Sequence, residues 1–413
     1  MRTISSPDIR LINTGDRKEI SPIPFVRTFV AGKEVDYVND VLKNRKIASD
    51  GHFTKSCAKL MEERFGIKKV LMTPSCTAAL EIAAMLCDIE PGDEVILPSF
   101  TFVSTANAFV LRGAKPVFVD IRPDTLNLDE SLIEEAITPK TKAICPVHYG
   151  SVACEMDEIQ AIAKRHKLVV VEDAAQAVNA SYRGRALGSI GNLGCYSFHE
   201  TKNYVCGEGG ALCINDSTML ERAEILREKG TNRSRFLRGQ VDKYTWVDVG
   251  GSHLPSELSM AYLFGQLEQL DLIQNRRREV VERYCEYLQP LVERELVQLP
   301  VVPESCSQNY HVFYVLVKDS KTRDDLLTHL RGQGIGAVFH YIPLHTAPMG
   351  RSHGYEPGDL PVTEELHERL IRLPLYCELA ANDQQRIVEL IGDFFGAAEK
   401  SKIHWDYPTT RVA

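Results

Sequence analysis

Residues Lys167–Ala177 read KLVVVEDAAQA, and about thirty residues further on Ser197–Asn203 read SFHETKN, followed by GEGG at Gly207–Gly210. The run Leu168–Val171 is apolar without alternation, as in a strand covered on both faces. The switch to Glu-Asp-Ala-Ala then marks the carboxyl end of that strand. Working outward, short β-branched runs alternate with helical patterns. Val70–Thr73 precedes Thr77–Leu86, Glu94–Pro98 precedes Ser104–Leu111, Lys115–Ile121 precedes Glu130–Ile137, and Ala143–Val147 precedes Glu155–Lys164. Within the last of these, Met156, Ile159, Ile162 and Ala163 share one helical face. Strand–helix alternation of this kind predicts a mostly parallel sheet in a three-layer α/β domain.

After residue 190 the pattern changes. Asn192–Phe198 and Gly209–Asn215 read as two strands joined by a turn, with helices at Thr218–Lys229, Ser256–Leu270 and Asn275–Leu291. A smaller α/β unit follows, with strands expected at His311–Val317 and Ala337–Tyr341 and helices at Thr322–Gly332, Thr363–Ile371 and Asn382–Phe395. The expected division is an N-terminal arm at 1–22, a large domain at 23–274, a small C-terminal domain at 275–398 and a tail at 399–413. No internal repeat or low-complexity tract interrupts it.

The 413 residues carry 48 Lys plus Arg against 56 Asp plus Glu, a formal net charge of −8, and 44% of them are hydrophobic. That composition is globular, and the acidic balance without a basic run argues against nucleic acid as a partner. The first residues lack the apolar core of a secretory signal, and nowhere do enough apolar residues run together to span a bilayer, so a cytoplasmic chain is expected. Eleven scattered cysteines, none in a C-x-x-C pair, read as small buried hydrophobes of a reducing compartment, with no metal site.

Asp173 falls at a strand end, where α/β sheets hold ligands. Alone it fits a helix cap, a metal ligand or the partner of a cationic cofactor, and of these the cap is the commonest. Lys202 follows a strand and precedes the GEGG turn, so it is either a solvated charge or a desolvated amine able to act as a nucleophile. Ser75, Cys76 and Thr77 open an Ala-rich helix whose N-terminal N–H groups suit a phosphate, although Ser75 and Thr77 also serve as ordinary caps. Taken together, phosphate site, strand-end carboxylate and late lysine fit pyridoxal 5′-phosphate. The series Gly188-x-x-Gly191-x-x-Gly194 lacks the dinucleotide spacing, which disfavours a nicotinamide dehydrogenase.

The pairing of EDAAQA with SFHETKN and GEGG resembles the DegT/DnrJ/EryC1/StrS family of sugar-nucleotide aminotransferases. Similar stretches are TFVSTANAFVLRGAKPVFVDI (Thr101–Ile121), EKGTNRSRF (Glu228–Phe236), RGQVDKYTW (Arg238–Trp246) and FHYIPLH (Phe339–His345), and the likeness spans about Pro24 to Phe395. The resemblance implies the fold type I, aspartate aminotransferase-like architecture, with a large three-layer α/β/α domain and a smaller C-terminal α/β domain. It also implies that Lys202 carries the cofactor, that Asp173 holds the pyridine nitrogen and that Gln176 faces the phenolic oxygen. Phe102 would stack on the ring, while Ser197, Thr77 and the Cys76 backbone would bind the phosphate. Two departures stand out. Cys76 replaces the family's usual Gly, and Ser252, in Gly250-Gly251-Ser252-His253-Leu254-Pro255, replaces an Asn that reaches the neighbouring subunit's cofactor.

Within the family, FHETKNY and GTNRS…RGQVDKYTW resemble members that transfer an amino group from L-glutamate to C4 of a dTDP-4-keto-6-deoxy sugar. The implied product is dTDP-4-amino-4,6-dideoxy-D-galactose, a deoxyamino sugar of cell-surface polysaccharide, made by a homodimer or higher homo-oligomer with shared active sites. Candidate substrate contacts are Arg233, Arg235, Arg238, Tyr341 and His345. A C3-keto substrate, another C4 epimer, or a cofactor-binding regulatory protein without turnover remain open at the level of sequence. Lys202 itself disfavours the dehydratase branch, which has His at that position.

Overall fold

The computed structural model describes residues 21–396. The expected arm and tail therefore lie almost wholly outside the described residues. Its centre is a seven-stranded sheet built from β1 (Lys69–Thr73), β2 (Glu94–Pro98), β3 (Lys115–Val119), β4 (Thr141–Ile144) and β5 (Val169–Asp173), with β8 (Leu193–Ser197) and β9 (Gly210–Ile214). Between β5 and β8 lies a two-residue hairpin, β6 (Ser181–Tyr182) and β7 (Arg185–Ala186). The strand order is β1-β9-β8-β5-β4-β2-β3. Every pairing is parallel except those of β9, which runs antiparallel to β1 and β8 and closes the SFHETKN–GEGG connection as a return strand.

Alternate residues of each strand enter two separate cores. Val70 and Met72, Ile96, Ile144 and Val170 face one, with the helices His52–Phe65, Met156–His166 and Glu257–Leu267. Leu71, Val95 and Leu97, Ala143 and Val171 face the other, with the helices Cys76–Leu86, Val103–Val110 and Leu220–Arg227. The unbroken VVV of β5 is thus apolar because both faces are covered, and the three layers follow. Helix Met156–His166 buries its expected face of Met156, Ile159, Ile162 and Ala163, carries acid in its first turn and base in its last, and ends on Lys167 in the left-handed region. Seven of the eleven cysteines are buried, and all eleven are free.

Helix Leu270–Val292 continues without a break through residue 275 into a third core formed by Val280, Tyr284, Leu288, Phe313, Leu326, Ile387 and their neighbours. Ile23 packs there too, its N–H bonded to Gly334 and its carbonyl to Gly336. The first described residues therefore pack with the C-terminal unit, although the sequence pattern put residue 23 in the large domain. The strands of this unit are short. β10 (Cys306–Ser307) pairs with β6, while β11 (Tyr314–Leu316) pairs antiparallel with β12 (Leu370–Arg372).

Two expectations are corrected here. Ala337–Tyr341 is not a strand, since it makes a single bridge, Val338 to Arg372, before Tyr341 turns at φ +27° and Pro343 withdraws a donor. The helix expected to reach Ile371 stops at Arg369, because Leu370–Arg372 pairs with β11 instead. The helices Glu34–Asn44 and His52–Phe65 had no expected counterpart. The second begins at Gly51, which has no capping side chain, and the buried Glu257 carboxylate accepts the N–H groups of Gly51, Phe53 and Thr54 from across the sequence. No described helix is long and apolar enough to cross a membrane.

Candidate active site

The carboxyl ends of β1, β2, β4, β5 and β8 open on one cavity of about 490 Å³, closed on its far side by His311, His340, Tyr341 and Arg372 of the C-terminal unit. Because parallel strands direct their following loops to the same edge, residues far apart in sequence meet there.

At one end stands the helix Cys76–Leu86. Ser75 caps it, its Oγ accepting the Ala78 N–H at 3.1 Å, and Thr77 Oγ1 lies 2.8 Å from Ser104 Oγ. Ser75, Cys76, Thr77, Ser104 and Ser197 all line the cavity, so hydroxyls and first-turn N–H groups converge at a positive helix end. Burial, chiefly, pushes the Cys76 thiol well above its ordinary range, so its side chain adds no charge to this anion cradle. The cradle depends on Gly210, the first residue of β9. A Cβ there would collide with Ser75 C and O and with Cys76 N. Gly210→Ala should push the helix end off its seat and weaken phosphate-bearing cofactor affinity about tenfold or more, by fluorescence titration.

Asp173 ends β5 and is 5% exposed. One carboxylate oxygen accepts Thr105 Oγ1 at 2.7 Å, the other the Ala175 N–H at 3.1 Å, and Thr105 is itself joined to Thr101 at 2.8 Å. The carboxylate is thereby held in one orientation at the cavity wall. Gln176 is fixed likewise, its Oε1 accepting the Gly150 N–H at 2.7 Å and its Nε2 donating to Tyr341 Oη at 3.0 Å. Burial pushes the Tyr341 phenol up to about 12, so it stays neutral. The Phe102 ring, 57% exposed, stands at the mouth just before the helix Val103–Val110.

Lys202 sits in the turn after β8, its N–H bonded to the His199 carbonyl at 2.9 Å. Burial lowers its ammonium below the usual lysine range, Asp173 opposes that, and the nearby Arg372 cation adds to it. The result is an amine that sheds its proton more readily than a surface lysine and so can act as a nucleophile and carry protons. Pyridoxal 5′-phosphate fits these residues, with an anion cradle, a buried carboxylate for a cationic ring nitrogen and a basicity-lowered amine, all in one cavity of suitable size.

Not every expected residue is brought here. Ser252 is exposed, its backbone bridged to Glu228, and does not line this chain's cavity. Arg233, Arg235 and Arg238 pair with Glu228, Glu221 and Glu224 respectively, the last two at 3.2 and 2.9 Å, and none lines the cavity. The acids form one row along the helix Leu220–Arg227 and its end, which the arginines neutralise. His345 is fully buried outside the cavity, Nδ1 2.7 Å from Ser99 Oγ and Nε2 2.9 Å from Glu364. It ties the C-terminal unit to the end of β2. His345→Ala should lower stability by about 2–4 kcal/mol in urea unfolding while leaving kcat/KM of the folded enzyme unchanged.

Arg372, His311, His340, His199 and Thr105 were not among the expected site residues. Thr105 had a signal, four residues after Thr101 on a helix that follows a strand end. Arg372, just past the expected helix end at Ile371, had none. Burial, chiefly, holds both His311 and His340 well below the ordinary imidazole range, so both are neutral beside Lys202 and Arg372.

The DegT/DnrJ/EryC1/StrS aminotransferase family profile matches residues 30–392. The spore coat polysaccharide biosynthesis protein SpsC of Bacillus subtilis is 34% identical over 385 residues, covering 91% of this chain and 98% of its own. Among solved structures, the aminotransferase TlmJ of Streptoalloteichus hindustanus superposes with a TM-score of 0.84 at 29% identity, covering 92% of this chain and all of its own. The PLP-form of Spr1654 of Streptococcus pneumoniae does so at 0.83 and 26%, covering 92% of this chain and 99% of its own. With the profile matched over most of its length and a fold shared throughout, the chain belongs to the DegT/DnrJ/EryC1/StrS aminotransferase family.

Proposed function

We propose that this chain is a pyridoxal phosphate-dependent sugar-nucleotide aminotransferase that moves the amino group of L-glutamate to C4 of a dTDP-4-keto-6-deoxy sugar, giving dTDP-4-amino-4,6-dideoxy-D-galactose. Aminotransfer and the cofactor follow from the family. The observation that carries the chemistry is the basicity-lowered Lys202 amine in one cavity with the oriented Asp173 carboxylate and the helix-end anion cradle. When bound, the cofactor supplies an electron sink for the carbon that loses its proton. Lys202 holds the cofactor and then moves that proton. Asp173 keeps the ring nitrogen cationic, and the Ser75–Thr77 helix end with Ser197 binds the phosphate. Gln176 faces the phenolic oxygen and Phe102 covers the ring.

The dTDP sugar rests on the likeness of FHETKNY and GTNRS…RGQVDKYTW to members with that substrate. A polysaccharide route agrees with the SpsC relative, whose role is spore coat polysaccharide biosynthesis. Ser252 and the short helix Arg233–Leu237 with Arg238, away from their own cavity, suit contacts to a neighbouring copy, as a homodimer with shared sites would make. Incubating the purified protein with L-glutamate and dTDP-4-keto-6-deoxyglucose, then assigning the product's C4 configuration by NMR, tests the proposal. No consumption of the sugar rules out this substrate, and an equatorial C4 amine rules out this product.

A further inference from the structure

Among the described residues, Arg372 is the one cation of the cavity wall with no role so far. It ends β12, its backbone paired to Tyr314 and Val338, and its guanidinium lies 4.4 Å from the Phe25 ring. Among the described residues its side chain makes no ion pair, and its buried Nε has no hydrogen-bond partner. Burial lowers its basicity, with only the neutral phenols of Tyr149 and Tyr341 nearby to offset that. A desolvated guanidinium without an anion is unfavourable, whereas one that meets a planar carboxylate through two parallel N–H groups is strongly favoured. The arrangement is thus incomplete until an anion arrives.

Resting on the proposed aminotransfer, three anions could enter. The cofactor phosphate has its own cradle at the Ser75–Thr77 end. The diphosphate of a sugar nucleotide hangs from C1, across the ring from a reacting C4, and the keto carbon bears no charge near it. The α-carboxylate of an amino acid is different, because it is attached to the very carbon that carries the reacting nitrogen. It must lie in the cavity that holds the lysine amine, and Arg372 lines that cavity together with Lys202, His340 and Tyr341. We propose that Arg372 receives the α-carboxylate of the amino donor and so selects α-amino acids for the first half of the reaction only.

The test separates the two halves. In wild-type enzyme, L-isoglutamine, whose α-carboxylate is an amide, should convert the bound cofactor on the order of 100-fold more slowly than L-glutamine, whose side-chain carboxylate is the amide. Arg372→Gln should lower kcat/KM for L-glutamate by a similar factor, with Arg372→Lys in between, while the pre-aminated enzyme still hands its amine to the keto sugar at the wild-type rate. Glutarate, a carboxylate without an amine, should bind the variant at least tenfold more weakly in calorimetry. Equal rates for the two amides, or a loss in the sugar half with the donor half intact, would overturn the assignment. A wild-type enzyme whose cofactor is converted by neither L-glutamate nor L-glutamine would instead sink the aminotransferase proposal on which it rests.

Discussion

Lys202→Ala is expected to leave a folded protein with no measurable amino transfer and without the near-visible absorbance band of lysine-bound cofactor. Loss of positioned proton transfer alone is worth about 10²–10⁴-fold in rate, and the variant also loses the covalent tether. Its fold should survive, because the turn is held by main-chain bonds that the substitution leaves in place: Lys202 N–H to the His199 carbonyl, Cys206 N–H to Phe198, and Glu200 N–H to Gly207. Absorbance, melting temperature and turnover, measured on one preparation, check this. Retained turnover with retained absorbance would remove Lys202 from the chemistry altogether.

Asp173→Asn carries the second large effect. The amide keeps the shape of the carboxylate and can still accept from Thr105 or Ala175, so the strand end should stay in place. The negative charge is lost, and with it the support for a cationic ring. A fall in kcat of about 10²–10³-fold is expected, on the scale of removing one preorganised electrostatic partner, with cofactor affinity changed much less. Single-turnover kinetics with L-glutamate, beside a cofactor titration, reads both quantities. If affinity alone fell, Asp173 would be a structural anchor for the strand end, not a partner of the ring.

The helical and strand periods were legible wherever one segment answered to one environment. The segments expected at Leu168–Val171, Thr77–Leu86 and Glu155–Lys164 form as the strand Val169–Asp173 and the helices Cys76–Leu86 and Met156–His166, since both faces of the sheet are covered, the first helix is buried on most sides and the second has one apolar face. Reading failed where pairing overrode pattern. Leu370 and Ile371 look like the end of a helix but belong to the strand Leu370–Arg372 that joins Tyr314–Leu316, and Ala337–Tyr341 looks like a strand but bends to line the cavity. The start of helix His52–Phe65 was invisible for a related reason, because its cap is Glu257, brought from the other side of the sequence.

For the site, Asp173, Gln176, Ser197, Lys202 and the Ser75–Thr77 turn were legible because each sits at a strand end or helix start, positions that local sequence marks. The sequence alone determined the layered α/β architecture, the cofactor chemistry and the residues that line the cavity from the large sheet. Only the tertiary structure decided that His345 braces β2 and does not enter the cavity, that Arg233, Arg235 and Arg238 are neutralised by Glu228, Glu221 and Glu224, and that Arg372 closes the site without an ion pair among the described residues. The reason is physical. A strand end fixes its own loop, but the charge balance and the far wall of a cavity depend on which distant elements pack against it.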